Sequence, residues 1–247
     1  MSEGHIHEGW LDSVRGRSLF YPGAGDDFGA PIKWFGDYVS TFVFTDIGYS
    51  RGMKLEPLSL PPWRIRHSKL DGHADCSIET RVDNEGEPYR FLEPSILSEV
   101  YHGSDGREIT IRRRRGFGQY ALTAEAFPGS IGVFFFRGDC PVSGEASSGI
   151  RYISNSKRRH EPISMLWNKL SQRMSDRALV VTDGSNADPK FLKMHYNCPI
   201  DGSVAAKEFG CREFNWVNWT WQCVGYIGPK YGPTLVWGVT RAAQGKA

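Results

Sequence analysis

The chain has 247 residues, of which 40% are hydrophobic and 23% are charged, and its formal net charge is +2. This length supports a sizeable core, and a charge so near neutrality does not by itself indicate a polyanionic partner. No apolar run approaches the roughly 18 residues of a membrane span, and no secretory signal is visible. The five cysteines form no C-x-x-C pair, which argues against zinc and disulfides and favours the cytoplasm.

The first predicted unit is a strand, a glycine-rich turn, a helix and a second strand. Apolar residues 19–21 stop at the sequence PGAG, in which Gly23 and Gly25 favour a sharp turn. Residues 41–45 (TFVFT) form the second strand, which ends in Asp46. The helix between them is predicted from apolar residues at the spacing of one helical face, namely Phe28, Ile32, Phe35 and Val39.

Glycines at the first strand-to-helix turn, with an acid at the end of the next strand, are the elements of a nucleotide site. The backbone at Gly23 and Gly25 can approach a ligand, and the Asp46 carboxylate can bind a pair of ribose hydroxyls. Asp26 and Asp27 would repel a pyrophosphate at the start of the helix, which argues against NAD and ATP. The pattern therefore favours a ligand without phosphates, and a purely structural turn is the alternative.

This stretch resembles motif I and the following ribose-binding acid of class I methyltransferases, which use S-adenosylmethionine (SAM). The resemblance implies that Gly23 and Gly25 form the turn beneath SAM and that Asp46 holds its ribose. It also implies an α/β, Rossmann-like fold, with a mostly parallel sheet, helices on both faces and a C-terminal antiparallel hairpin. Tyr21 and Pro22 stand where the family usually has an acid before its first glycine.

Residues 48–94 are rich in prolines, glycines and charges and show no long helical period. Short alternating segments at 63–66 and 77–80 indicate edge strands or an inserted hairpin. We expect one domain over residues 1–247, with an inserted substrate-recognition or lid region at about residues 50–100. A surface loop without a function is the alternative interpretation of this region.

Glu108–Arg115 (EITIRRRR) is predicted to be a strand that ends in four consecutive arginines. Because the guanidinium group suits phosphate and carboxylate contacts, Arg113 and Arg115 are candidate substrate-binding residues. Nucleic acid is accordingly a candidate partner, also through the basic residues 157–160 (KRRH). A solvated charged face is the alternative. Residues 117–127 fit either a short helix or a hairpin.

Ile131–Phe136 (IGVFFF) is the most continuously apolar segment and is predicted to be a central strand buried on both faces. Chemistry in open α/β sheets lies where such a strand ends. The resemblance makes this strand four, followed by the catalytic motif, so that Asp139 is the candidate catalytic residue, as a general base or a substrate-orienting carboxylate. The following Cys140-Pro141 lacks the aromatic residue of the amino-methylating members.

The C-terminal third is predicted to contain a helix, a strand and a hairpin. Apolar residues within 163–174 have helical spacing, and residues 177–182 form a strand. The loop after this strand carries Asp183 and Asn186, which are candidates to orient the acceptor. An aromatic-rich alternating segment at 214–226 is predicted to pair with the next strand as a terminal antiparallel hairpin.

The sequence therefore predicts a SAM-dependent methyltransferase-like enzyme that acts on nucleic acid or a small molecule and has no metal in its site. The alternative is a catalytically inactive Rossmann-like protein that binds a nucleotide or a partner. The positions that depart from the family pattern favour this alternative.

Overall fold

The computed structural model describes residues 4–46, 49, 58–71, 79–82, 88–91, 96–115, 122, 129–136, 170–182, 213–216, 218–227 and 234–242. Within them lie two short helices, α1 (Glu8–Ser13) and α2 (Gly29–Phe35), and residues 170–173 are also helical. The strands in these segments are β1 (Gly4–Ile6), β2 (Ser18–Pro22), β3 (Thr41–Asp46), β4 (Arg64–Asp71), β5 (Glu79–Val82), β6 (Pro88–Phe91), β7 (Ile96–His102), β8 (Glu108–Arg115), β9 (Ile131–Phe136), β10 (Met174–Thr182), β11 (Glu213–Trp216), β12 (Trp219–Ile227) and β13 (Thr234–Arg241).

Most of these strands belong to one mixed sheet with the order β1-β12-β13-β10-β9-β2-β3-β8-β7-β4, in which β11 also pairs with β12. The five neighbouring strands in the middle, from β10 to β8, run parallel to one another. Antiparallel pairs extend the sheet on both sides, through β13 and β12 on one side and through β7 and β4 on the other. Strands β5 and β6 form a separate two-stranded sheet.

The predicted Rossmann-like fold, with a mostly parallel sheet and helices on both faces, is wrong. Most described residues lie in strands, the large sheet is mixed, and the described helices are few and short. Both α1 and α2 contribute to a single hydrophobic cluster against one face of the sheet. The physical reason is clearest in β7, where side chains alternate between buried and half-exposed, which is the period of a strand and not of a crossover helix.

The core lies between these two helices and the sheet. Alternate residues of the central strands face the helices, namely Leu19 and Tyr21 in β2, Phe42 and Phe44 in β3, and Val133 and Phe135 in β9. The residues between them, among them Phe20, Val43 and Phe134, are buried as well. The prediction that Ile131–Phe136 is a strand buried on both faces is therefore confirmed for its described side chains.

Several predictions fall partly or wholly outside the described residues. These include the alternatives for residues 117–127 and most of the helix predicted within residues 163–174, of which 170–173 are helical. In the region predicted to be an insertion, β4 and β7 are strands of the main sheet. The single-domain arrangement stays a prediction. No helix in the described segments is long and apolar enough to cross a membrane.

Candidate functional site

The chain leaves β2 at Pro22 and makes a tight turn beside the end of β3. The backbone amides of Gly23 and Ala24 both donate hydrogen bonds to the carbonyl oxygen of Thr45, over 2.7 and 3.2 Å. Gly23 and Gly25 have φ angles of 66° and 52°, in the left-handed region that favours glycine. Apart from its chain neighbours, no atom of the described residues would lie within 4 Å of a Cβ atom on either glycine. The turn thus needs glycine for its backbone conformation, and no described side chain fills the space beside either residue.

Asp46, the last residue of β3, is bound to this turn. Its Oδ2 atom accepts a hydrogen bond of 2.9 Å from the backbone N–H of Gly25. The carboxylate is half-buried. This bond brings together the glycine turn and the acid from which the sequence predicted a ligand site, and it also gives Asp46 a structural part in holding the turn.

The glycine turn lies where the order of the parallel strands reverses. From β2 the chain passes through α2 to β3, which pairs with β2 on one side, whereas β9 pairs with β2 on the other side. Because these strands are parallel, their carboxyl ends share one edge of the sheet. Ligands of open sheets with parallel strands bind outside the carboxyl ends at such a reversal. Topology and local geometry therefore indicate the same edge.

Two acids follow the glycines at the start of α2. Asp26 is exposed, and Asp27 is half-exposed and accepts a hydrogen bond of 3.2 Å from the hydroxyl of Tyr21. Phe28, the N-cap residue directly before α2, makes no side-chain capping bond. The partial positive charge of the helix end thus lies beside two carboxylates, which disfavours a phosphate group at this position.

Tyr49 is a member of this region that the sequence analysis did not predict. Its side chain is 2% exposed, its ring centre lies 6.2 Å from that of Phe28, and its hydroxyl has no hydrogen-bond partner within the described part of the chain. Burial, and then the nearby carboxylates of Asp46 and Asp26, raise the pKa of Tyr49, while Arg113 opposes them. The hydroxyl therefore stays protonated and can donate. The only signal in the sequence was its position three residues after Asp46.

The four consecutive arginines of β8 are divided between the two faces of the sheet. Arg113 and Arg115 are buried on the face that packs against the helices, and are 4% and 0% exposed. Arg112 and Arg114 are half-exposed on the opposite face. Arg115 lies directly beside Asp46 in the register of β8 and β3. The two arginines predicted as substrate ligands are thus near the carboxyl edge but inside the core.

Arg113 is held by a buried network on β7. Its Nε atom lies 3.0 Å from Oε2 of Glu99, which is 0% exposed. The other carboxylate oxygen of Glu99 contacts the hydroxyl of Tyr101 at 2.7 Å and the backbone N–H of Leu58 at 2.8 Å. Burial and the bond to Glu99 raise the pKa of Tyr101. This network joins β7, β8 and the segment before β4, so that it stabilises the strands beside the site.

The other predicted site residues, Asp139, Asp183 and Asn186, lie outside the described residues. Their roles as a candidate base and as acceptor-orienting groups therefore stay predictions. Within the segments that are described, no group of three or more His, Cys, Asp or Glu side chains could hold a metal ion.

A hollow of about 450 Å³ lies beside α2, away from the glycine turn. Trp63 forms one wall of the hollow. Its ring lies so close to Gly103 that a Cβ atom on this glycine would be 3.0 Å from the Cζ3 atom of the ring. Arg107 lies 5.9 Å from that ring and binds Asp37 at 2.7 Å. Because Asp37 precedes β3 and Arg107 precedes β8, the hollow is at the amino ends of these strands, opposite the edge that carries Asp46.

Comparisons of the chain with models of protein families, with curated proteins and with solved structures found no match. The function is therefore inferred from the residues and from the geometry of the site.

Proposed function

We propose that this protein binds SAM at the carboxyl edge of β2 and β3 and transfers the methyl group of SAM to an acceptor. One observation carries the proposal: the hydrogen bond between the Gly25 N–H and the Asp46 carboxylate, formed where the strand order reverses. It unites the two elements by which an adenosine ligand is held in parallel sheets, a glycine turn and an acid at the end of the next strand.

The residues at this edge fit an adenosine ligand that has no phosphate. Within the described part of the chain, no side chain blocks the approach of a ligand to the backbone at Gly23 and Gly25. A carboxylate offers about four acceptor positions, so the bond from Gly25 does not exhaust the capacity of Asp46 for ribose hydroxyls. The acids at 26 and 27 disfavour ATP and NAD but do not oppose the cationic sulfonium of SAM.

Methyl transfer demands little covalent chemistry from the protein. Bound SAM supplies an electrophilic methyl group, and the chain has to align an acceptor with it and allow one proton to leave. Alignment alone can lower such a barrier by several kcal/mol, about 7–11 in the best cases. Asp139 is the residue that we propose to receive the proton. We also propose the cytoplasm as the compartment, since Cys223 is a buried thiol and not half of a disulfide.

The second candidate is a protein that binds an adenosine ligand or a partner but transfers nothing. Two observations favour it: Asp46 already accepts a bond from the turn, and Tyr21-Pro22 replaces an acid of the family pattern. A second candidate that binds an adenosine ligand would use the same edge of the sheet and would differ from the first in turnover only.

Calorimetric titration of the purified protein with SAM, its demethylated product, ATP and NAD tests the proposal. We expect micromolar binding of SAM and its product and no binding of ATP or NAD. If none of the four binds, or if ATP or NAD binds as well as SAM, the proposal is wrong. Where SAM binds, incubation with methyl-labelled SAM and nucleic acid then separates the two candidates, because the inactive protein would transfer no label.

A further inference from the structure

The hollow of about 450 Å³ beside α2, which we call the Trp63 hollow, has no part in the proposed function. A neighbouring hollow of about 680 Å³ shares Trp63, Gly103 and Ser104 with it, so the indole of Trp63 borders both. Both hollows lie towards the amino ends of β3 and β8. They are therefore separate from the edge at which SAM is proposed to bind.

The indole of Trp63 is held in place on several sides. Residues 61–62 are both proline, which restricts the backbone before Trp63, and the N–H of Trp63 donates to the carbonyl oxygen of Leu60 over 2.6 Å. Gly36 and Gly103 leave room for the ring, because a Cβ atom on either would lie 3.3 Å from a ring carbon. Trp63 is half-buried and thus gives the hollow a preorganised aromatic wall.

Polar side chains of the Trp63 hollow keep unused capacity for hydrogen bonds. Arg107 donates from Nη2 to Oδ1 of Asp37 over 2.7 Å and from Nε to Asp105. Within the described segments, Nη1 of Arg107 and Oδ2 of Asp37 make no hydrogen bond, and neither do the hydroxyl of Ser104 and Nε1 of Trp63. Donors and acceptors therefore both remain available around the same hollow.

The formal charges around the Trp63 hollow cancel. Its described lining contains two acids, Asp37 and Asp105, and two cations, Lys33 and Arg107. Arg107 is shared between the two acids, which fixes its guanidinium group 5.9 Å from the ring of Trp63. Because the net charge is zero, the hollow favours neither an anion nor a cation, and a neutral ligand suits it best.

The arrangement of apolar and polar groups restricts the class of neutral ligand. A sugar ring carries C–H bonds on one face, which pack on an indole, and hydroxyls around its edge, which both donate and accept. A nucleobase has two flat apolar faces to bury, whereas Trp63 is the only aromatic residue in the described lining. A volume of about 450 Å³ lies within the usual range of small-molecule sites.

We propose that the Trp63 hollow binds a neutral saccharide. A sugar ring packs against the indole of Trp63, and its hydroxyls bond to the carboxylate of Asp37 and to the guanidinium group of Arg107. The site lies at the opposite end of the strands from Asp46, so this inference does not depend on the proposed transfer of methyl groups.

Saturation-transfer NMR on the full chain tests the proposal with glucose, galactose, mannose, N-acetylglucosamine, maltose, cellobiose and lactose. We expect at least one of these sugars to bind. Titration of the strongest binder then compares Trp63→Leu with the control Trp34→Leu, since both indoles are half-buried and pack against the same hydrophobic cluster, but Trp34 does not line the hollow. We expect Trp63→Leu to bind the sugar roughly tenfold more weakly and Trp34→Leu to bind it like the wild type.

A second pair of variants tests the hydrogen bonds. Asp37→Ala removes a carboxylate from the hollow, and the control Asp12→Ala removes one from the exposed pair with Arg15. We expect Asp37→Ala to weaken sugar binding roughly tenfold and Asp12→Ala to leave it unchanged. Thermal unfolding checks that the variants are folded. If Trp63→Leu does not fold, the Asp37 pair decides the question, because the side chain of Asp37 is 70% exposed.

Three results would overturn the inference. The first is that none of the seven sugars binds, and the second is that each control variant weakens binding as much as its partner. The third is that adenosine binds in place of the sugars and loses its affinity in Trp63→Leu, which would identify a site for a nucleobase. Titration with SAM is a separate measurement, and its outcome changes none of these conclusions.

Discussion

Replacement of Arg113 by methionine should strongly destabilise the protein. The side chains of Arg113 and Glu99 are 5% and 0% exposed, and their charged atoms lie 3.0 Å apart. Removal of one partner of a buried ion pair costs about 3–5 kcal/mol, because the other charge is left in an apolar environment. A typical domain is stable by only about 5–15 kcal/mol, so this variant should lose a large part of its free energy of unfolding.

The matched control is Arg15→Met. Arg15 and Asp12 also form an ion pair, at 2.7 Å, but their side chains are 58% and 55% exposed. An exposed pair contributes at most about 1 kcal/mol, and the contact of Arg15 with the ring of Tyr38 at 5.0 Å contributes a similar amount. We therefore expect the control to lose much less stability than Arg113→Met.

A double variant identifies the cause of the loss. Adding Glu99→Leu to Arg113→Met removes the carboxylate charge that Arg113→Met leaves unpaired. The N–H of Leu58 can still donate to the hydroxyl of Tyr101, 2.9 Å away. Apolar replacement of a whole buried pair is often neutral, so most of the lost stability should return. Urea unfolding curves give the free energy of unfolding of Arg113→Met, of Arg15→Met and of the double variant. The reasoning is refuted if Arg113→Met loses no more than Arg15→Met, or if the double variant is no more stable than the single one.

Two further predictions concern alkaline pH and a close approach of strands. Burial raises the pKa of Tyr49 and Tyr101, so the folded state keeps protons that the unfolded state loses above about pH 10. The free energy of unfolding should therefore fall above that pH by roughly 1.4 kcal/mol per pH unit for each of the two groups. Tyr49→Phe should make this fall shallower in unfolding curves; an unchanged slope would contradict the burial of Tyr49. Gly225→Ala places a Cβ against the backbone of β1, 2.8 Å from the Cα of Ile6, and should cost about 1–3 kcal/mol. In Gly29→Ala the new Cβ would contact no described residue within 4 Å, so this control should lose almost no stability. Equal losses in the two variants would show that β1 is not packed as described.

The sequence predicted those elements whose pattern reflects their own burial. The segment IGVFFF is β9, the residues 41–45 lie in β3, and the helical spacing after the glycine turn includes α2. β12 and β13 pair antiparallel at the C-terminal end. In each case neighbouring residues carry the signal, so a local period is sufficient.

The sheet beyond these elements could not be predicted from local patterns. β7 has a buried acid, Glu99, at a core-facing position, which breaks the apolar alternation of a strand. That acid is tolerated because Arg113, 14 residues later, neutralises it. Without the pair of Glu99 and Arg113, the sequence of β7 does not resemble a buried strand. The antiparallel side of the sheet, formed by β7 and β4, therefore could not be predicted.

The candidate site shows the same division. The contact between Gly25 and Asp46 follows from one strand-helix-strand unit, so the sequence was sufficient to place them together. The division of the arginine run depends on the orientation of β8, in which Arg113 shares the buried face with Ile109 and Ile111 and packs against Phe28 and Glu99. The burial of Tyr49 likewise depends on its neighbours in space.

The most direct test of the proposed site is whether Asp46 binds a ribose hydroxyl. Calorimetry would compare the demethylated product of SAM with its 2′-deoxy form, in the wild type and in Asp46→Asn. A hydrogen bond to a charged group contributes about 1.5–3 kcal/mol, so the wild type should bind the deoxy ligand roughly 10- to 150-fold more weakly. Any loosening of the Gly25 turn in Asp46→Asn weakens the binding of both ligands equally and therefore cancels from the ratio of their affinities. We predict that Asp46→Asn binds the ribose and deoxy ligands with similar affinity. If the wild type and the variant prefer the ribose ligand by the same factor, the assignment of Asp46 is contradicted.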